Sequence, residues 1–256
     1  MSAPAATSLD AFLGGRLLIE QPTGGGHRAG LDAIMLAAAV TAAPGETILD
    51  LGAGVGTAGL AALARIAGLR AILVEIEPTL CALAVENAAR NGLGGRVEVI
   101  RADIGARATE RQAAGLVAEI ADHVLVNPPF HAPGTVRRPP DASKERAYVE
   151  DAGLDAWLRV AASLLRPGGT LTLIHRAEAL GEVIAACGNR FGALRVVPLF
   201  PRAGAAASRI VVSARKGSRA PLALVPGLVL HEDDSSRYTA AAEAVLRGAA
   251  LTPDRA

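Results

Sequence analysis

The sequence predicts an α/β fold: an open, mostly parallel sheet with helices packed on both faces. Three observations carry this expectation. Strand-like and helix-like segments alternate from residue 46 onward, a glycine-rich turn follows the first strand of that series, and acidic residues stand at the ends of three successive strands. At 256 residues the chain has room for one large domain with extensions, and length alone would admit two small ones. The pattern favours one domain over residues 45–256, preceded by an N-terminal extension of turn and helix over 1–44.

Taken in order, residues 1–10 are small and polar and are expected to be disordered. The apolar stretch Arg16–Gln21 precedes the turn Gly24-Gly-Gly26, and Ala29–Val40 has the Ala, Leu and Met content of a helix. Thr47–Leu51 reads as a buried strand, Thr57–Ile66 as a helix and Arg70–Glu75 as a second strand. Pro78–Arg90 is a helix with proline in its first turn and Asn91-Gly92 as its stop signal. A third strand over Arg96–Ile100, a weaker helix near 107–118 and a fourth strand over His123–Val126 follow, the last ending on Asn127-Pro-Pro-Phe130. After a long loop, 131–150, come a helix over 153–165, the turn Pro167-Gly-Gly169 and a strand over Thr170–Ile174. A helix over 177–188, strands over Leu194–Leu199 and Arg209–Ser213, and a last helix over Asp233–Arg247 complete the series.

Composition narrows the class. Hydrophobic residues make up 51% of the chain, enough for a large core, but aromatics make up only 3%, so that core is built on small aliphatic side chains. Stretches such as Ala33–Gly45 fall short of the ~18–20 apolar residues of a membrane span, and no basic run followed by an apolar core opens the chain. The expected location is the cytoplasm. Cys81 and Cys187 match no metal-ligand spacing and are read as buried thiols, with no metal expected. A net charge of +1 exerts no global pull on nucleic acid, so any such contact must be local.

Two cofactors compete for the turn in Ile48-Leu-Asp-Leu-Gly-Ala-Gly-Val-Gly-Thr57. Gly54-x-Gly56-x-x-Gly59 satisfies the dinucleotide fingerprint. Asp50, two residues before Gly52, opposes that reading, because a carboxylate beside a pyrophosphate is unfavourable. It suits S-adenosylmethionine, whose amino and sulfonium groups are cationic. Glu75 at the end of the second strand is placed to accept from both ribose hydroxyls, and Asp103 after the third to accept from an adenine amino group. Singly, Asp50 and Asp103 read equally well as helix caps or loop charges. Three acids at successive strand ends mark a ligand site, because ligands of open α/β sheets bind there.

In Asn127-Pro128-Pro129-Phe130 the two prolines stiffen the turn and leave their carbonyls free. An amide side chain beside such a carbonyl can accept both hydrogens of a planar NH2 group and turn its lone pair toward a methyl donor. No strong base is needed, since the sulfonium drives the transfer. Phe130 offers a face for an extruded base. The plainer alternative is a rigid connection with a buried Phe.

Together Asp50-x-Gly-x-Gly-x-Gly, Val74-Glu-Ile-Glu77, Asp103 and Asn-Pro-Pro-Phe resemble the class I amino methyltransferases that act on DNA, RNA and protein glutamine. The resemblance implies a seven-stranded, mostly parallel Rossmann-like sheet with its last strand antiparallel. It implies that Asp50, Gly52, Gly54 and Glu75 contact the methionine and ribose parts of S-adenosylmethionine. Asp103 then contacts its adenine, with Ala53, Ile76, Ile104 and Asn127 also bordering the donor, while Asn127, Pro128 and Phe130 hold the target nitrogen. The flanks narrow the substrate. Gln21-Pro-x-Gly-Gly-Gly-His-Arg-Ala-Gly-Leu-Asp-Ala-Ile-Met-Leu-Ala-Ala38 and Tyr238–Gly248 resemble bacterial tRNA (adenine-N6)-methyltransferases of the valine-tRNA type, which act beside the anticodon. Leu31 stands where that family usually has Thr, and Phe130 where Tyr is commoner.

Local charge fits an RNA partner. Arg137, Arg138, Lys144 and Arg146 lie in the loop after the Asn-Pro-Pro-Phe turn, and Arg202, Arg209, Arg215, Lys216 and Arg219 form a second basic run without an acid. His27-Arg28 either borders the donor pocket or supports its glycine turn. The expected function is therefore N6-methylation of an adenine in tRNA. The alternatives are a protein-glutamine N5-methyltransferase, an rRNA guanine-N2 methyltransferase, and a catalytically silent, donor-binding RNA-binding module. The first two usually carry added domains, whereas about 45 residues precede the first core strand here; the intact Asn127–Phe130 turn opposes the last.

Overall fold

In a computed structural model the described residues are 6–24, 30–129, 153–233 and 235–251. Phe130, His27, Arg28 and the loop arginines and lysine Arg137, Arg138, Lys144 and Arg146 lie outside them.

The chain opens with a hairpin of β1 (Thr7–Phe12) and β2 (Leu17–Pro22), paired antiparallel from Thr7↔Pro22 to Phe12↔Leu17. Residues 7–10, expected to be disordered, thus belong to a strand. The cause is tertiary: β2 buries Leu17, Ile19 and Gln21 at alternate positions, and β1 pairs along it. Helix α1 (Leu31–Ala38) follows.

The main sheet then runs β3 (Thr47–Leu51), α2 (Thr57–Arg65), β4 (Arg70–Glu75), α3 (Pro78–Arg90), β5 (Val97–Arg101), α4 (Ala108–Ala113) and β6 (Ala121–Val126). After the undescribed segment come α5 (Leu154–Leu164), β7 (Leu165–Arg176), α6 (Leu180–Cys187), β8 (Phe191–Phe200) and β9 (Arg209–Lys216). Two-residue strands β10 (Ala223–Leu224) and β11 (Leu228–Val229) and helix α7 (Ala240–Leu246) close the chain. The strand order is β10-β8-β9-β7-β6-β3-β4-β5, with β11 also on β8; all neighbours are parallel except β9, antiparallel to both β7 and β8. The expected α/β architecture and mostly parallel sheet are observed, extended from seven strands to nine by β10 and β11 on its edge.

Each central strand is buried on both sides. Ile48, Ala71 and Leu73 face a core shared with α1, α2, α7 and β2, while Leu49, Leu51, Ile72 and Val74 face one shared with α5 and α6. Alanine does much of the packing, as Ala33, Ala37, Ala61, Ala62 and Ala84 show.

Three boundaries moved. The turn Pro167-Gly-Gly169 sits inside β7 as a bulge, the register stepping from Ala121↔Leu165 to His123↔Thr170. The helix expected near 107–118 spans only Ala108–Ala113. The last helix starts at Ala240, not near 233, because Thr239 caps it, its Oγ1 accepting from Ala242 N at 3.1 Å, while His231 bridges to Tyr238 upstream. Among the described residues no helix is long and apolar enough to cross a membrane.

Candidate active site

Sheet register assembles the site. Leu51 stands opposite Val74 on one side and Val126 on the other. The next residues, Gly52, Glu75 and Asn127, therefore share one lip at the C-terminal edge of the sheet. Asp103 joins them through β5, since Ala102 N donates to Glu75 O at 3.0 Å.

The glycine turn is fixed from below. Gly52 N and Ala53 N both donate to Val74 O, at 2.9 and 2.8 Å. Gly52 has φ +76°, and a side chain there would put its Cβ 2.7 Å from Cη2 of Trp157. Gly54 has φ +57°, and a Cβ there would meet nothing within 4 Å. One glycine is thus required by packing, and the other leaves space above the turn.

Glu75, 9% exposed, closes the other side. Its Oε2 accepts from Gly54 N at 2.8 Å, and its Oε1 from Ile76 N at 2.8 Å and Glu77 N at 3.0 Å. A carboxylate has roughly four acceptor positions, so three backbone donors hold this one rigid and leave capacity for one ribose hydroxyl. Accepting from both hydroxyls requires it to release a backbone donor.

Asp50 does not stand open at the turn. It is 2% exposed, and its Oδ2 accepts from Gly59 N at 2.8 Å in the first turns of α2. Burial pushes its pKa up to about 7, opposed by the Gly59 N–H and reinforced by the nearby Glu75 charge. Its place is one layer behind the glycines, where it ties β3 to α2.

Asp103 Oδ1 accepts from Gly105 N at 2.7 Å, an Asx-type turn that orients the loop after β5. Ile76, Arg101, Ala102, Asp103, Ala106 and Arg111 line an open depression of about 300 Å³, while Ile104 packs into the core at 6% exposed. Asn127 is half-buried beside buried Pro128. Phe130, the expected stacking residue, lies outside the described residues.

The basic run between Arg202 and Arg219 is not one patch. Because β9 is antiparallel, Arg209 pairs with Arg176 at the site end of the sheet, whereas Lys216 pairs with Phe191 at the opposite end. Six residues at ~3.3 Å each separate Arg209 from Arg215 by roughly 20 Å. Arg209 is held by Asp32 (Nε to Oδ2, 3.0 Å), and Arg215 and Lys216 donate to Gly168 O and Leu165 O. Expecting one surface from five basic residues fails on strand direction.

Two residues escaped the sequence reading. Trp157, 3% exposed, supports Gly52 from α5; as the chain's single Trp it gave a signal that could have been weighed. Asn87, wholly buried in α3, donates from Nδ2 to Val55 O at 3.1 Å within the glycine turn. A polar residue four positions before the Asn91 stop was its only sign.

The arrangement fits S-adenosylmethionine on this structure's own terms: clear space over Gly54, one acceptor position left on Glu75, and a depression lined by Ile76 and Asp103 beside them. Among the described residues, no group of three or more Cys, His, Asp and Glu is set to hold a metal.

Known proteins bear on this geometry. A predicted O-methyltransferase from Agrobacterium tumefaciens is 34% identical, with a TM-score of 0.74 over 88% of this chain and 100% of its own. The release factor glutamine methyltransferase of Cereibacter sphaeroides is 31% identical over 62% of this chain. The tRNA1(Val) (adenine(37)-N6)-methyltransferase of Shewanella halifaxensis is 30% identical over 58%. The match takes in 56% and 58% of those two curated relatives' own lengths. Residues 31–198 match the methyltransferase small domain, a family whose methyl donor is S-adenosylmethionine, and the chain belongs to that family.

Proposed function

We propose that the protein is an S-adenosylmethionine-dependent N-methyltransferase whose acceptor is the exocyclic N6 of an adenine in RNA, tRNA being the favoured substrate. The observation that carries the amino acceptor is the position of Asn127-Pro128: Asn127 stands level with Gly52 and Glu75, one residue past the paired row Leu51, Val74 and Val126. In this reading Gly52, Ala53 and Gly54 give the donor's methionine part a backbone surface without side-chain obstruction. Glu75 accepts from its ribose, and Ile76 and Asp103 border its adenine, while Ile104 packs into the core beneath them. The donor supplies an electrophilic methyl group on a sulfonium.

The chain's own work is orientation. Asn127 Oδ1 and the Pro128 carbonyl accept the two hydrogens of the NH2 group, fixing its plane and freeing the lone pair to point at the methyl. The proton leaves to solvent after transfer. A cradle of acceptors favours an NH2 group over a hydroxyl, which would need a base. Phe130 is assigned the stacking face, and Arg137, Arg138, Lys144 and Arg146 the phosphates.

Adenine is favoured by the two flanks, Gln21–Ala38 and Tyr238–Gly248, which resemble the tRNA enzymes. A second reading, methylation of a protein glutamine amide, has support of its own: the glutamine and adenine relatives are 31% and 30% identical, and an amide NH2 fits the same cradle. The test is incubation with labelled donor and either unmodified total RNA or release factor, followed by mass spectrometry of nucleosides and peptides. N6-methyladenosine is the expected product. N5-methylglutamine alone would replace the substrate, and methyl transfer only to oxygen would remove the cradle mechanism.

A further inference from the structure

The N-terminal hairpin lies outside the matched family segment, residues 31–198, yet it is joined to the glycine turn through one side chain. Asn87 on α3 and Asn91 at its C-cap, four residues apart, hold the backbone of β2. Leu18 N donates to Asn91 Oδ1 at 2.8 Å, and Asn91 Nδ2 returns a bond to Leu18 O at 2.7 Å. Glu20 N donates to Asn87 Oδ1 at 2.8 Å, and Asn87 Nδ2 returns a bond to Glu20 O at 2.9 Å. The spacing explains the match: an i,i+4 pair on a helix rises about 6 Å, close to the two-residue repeat of a strand.

Asn87 does more than Asn91. Its Nδ2 also donates to Val55 O at 3.1 Å, and its Oδ1 also accepts from Arg90 Nη1 at 2.7 Å. All four hydrogen-bonding positions of its amide are used inside a site with no solvent exposure. Val55 sits between Gly54, whose N–H holds Glu75, and Gly56. Arg90 in turn pairs with Glu20 of the hairpin.

We infer that Asn87 is a positioning residue for the methyl donor, and that the docked hairpin is part of the donor site's support. This rests on the donor reading above. With β2 in place the Asn87 amide is held in the one orientation that presents a hydrogen to Val55 O, which fixes the Val55–Gly56 peptide plane, one residue past Gly54. Without β2 the amide loses two of its four partners, and its orientation toward Val55 O is no longer fixed. The coupling is reciprocal, so donor binding must also tighten the hairpin.

Two measurements test it. Asn87→Ala should raise the dissociation constant for S-adenosylmethionine at least tenfold by calorimetry. Asn91→Ala, which loosens β2 without touching Val55, should change it less than threefold. Equal effects from both variants would reduce Asn87 to hairpin attachment and overturn its role as a positioning residue, as would donor affinity within twofold of wild type in a folded Asn87→Ala protein. The second measurement needs no variant and decides the matter if Asn87→Ala does not fold. In wild-type protein, saturating S-adenosylmethionine should slow amide exchange several-fold at Leu18 and Glu20 as well as at Gly54 and Gly56. Protection of the turn with an unchanged hairpin would refute the coupling while leaving donor binding intact. No heat and no protection anywhere would instead remove the donor reading, and the inference with it.

Discussion

Gly52→Ala and Gly54→Ala place the same methyl group two residues apart, and the structure assigns them opposite consequences. At Gly52 the new Cβ lies 2.7 Å from Cη2 and 3.0 Å from Cζ3 of Trp157, a rigid ring in the core, at φ +76°. Overpacking costs about 1–3 kcal/mol and the left-handed backbone about 1–2 kcal/mol, so about 2–5 kcal/mol in all. For a chain of this size that lowers Tm by roughly 4–20 °C. At Gly54 no atom stands within 4 Å, so only the backbone cost applies, about 1–2 kcal/mol. The methyl group there projects into the space assigned to the donor, and affinity should fall at least about tenfold, ~1.4 kcal/mol. Thermal melts and calorimetric titration with S-adenosylmethionine separate the two effects. In the double variant with Trp157→Phe, the shorter ring should recover part of the Gly52→Ala loss, since contacting residues couple by ~0.5–3 kcal/mol. If Gly54→Ala bound donor normally while melting like Gly52→Ala, the assignment of one glycine to packing and the other to ligand would be wrong.

Asn127→Ala should leave donor affinity within about threefold and lower turnover at least a hundredfold, ~2.7 kcal/mol of transition-state stabilisation; unchanged methylation would remove the cradle. Asp50 titrates at about 7 in the folded chain against 3.8 in the reference state, so the native state holds the proton more tightly. Its contribution to stability is complete below about pH 4, is lost as pH rises toward 7, and is flat above. Asp50→Asn should therefore gain stability relative to wild type between pH 4 and 7 and hold a constant margin beyond; urea midpoints across that range check it, and a margin independent of pH would contradict it. Substituting Arg215 and Lys216 together with serine should leave RNA affinity and its salt dependence unchanged, because both stand at the far edge of the sheet. Arg202→Ser and Arg209→Ser, at the site edge, are the informative comparison in a filter-binding salt titration.

The route from sequence to site is uneven for identifiable reasons. The placement of Asp50, Gly52, Gly54, Glu75 and Asp103 at or just past the ends of Thr47–Leu51, Arg70–Glu75 and Val97–Arg101 was legible because strand ends can be read from local apolar runs. What Asp50 touches was not legible: Gly59 is nine residues away, and only the packing of α2 against β3 brings its N–H to the carboxylate. Strand β1 was missed because Thr7–Phe12 carries no apolar run of its own and is ordered by pairing with β2. The run from Arg202 to Arg219 looked continuous because sequence lists charges along the chain, while an extended strand separates them by its length.

The sequence by itself determined the alternating α/β order, the glycine turn, the acids at successive strand ends and the Asn-Pro-Pro turn, all set by residues within a few positions of one another. Only tertiary structure decided that Gly52, Glu75 and Asn127 share one lip, that Trp157 supports the first, and that Asn87 ties the N-terminal hairpin to Val55. The physical reason is the range of the interactions. Backbone preference and hydrophobic period act over one turn or one strand, whereas strand register and buried hydrogen bonds join residues tens of positions apart, and no local pattern encodes them.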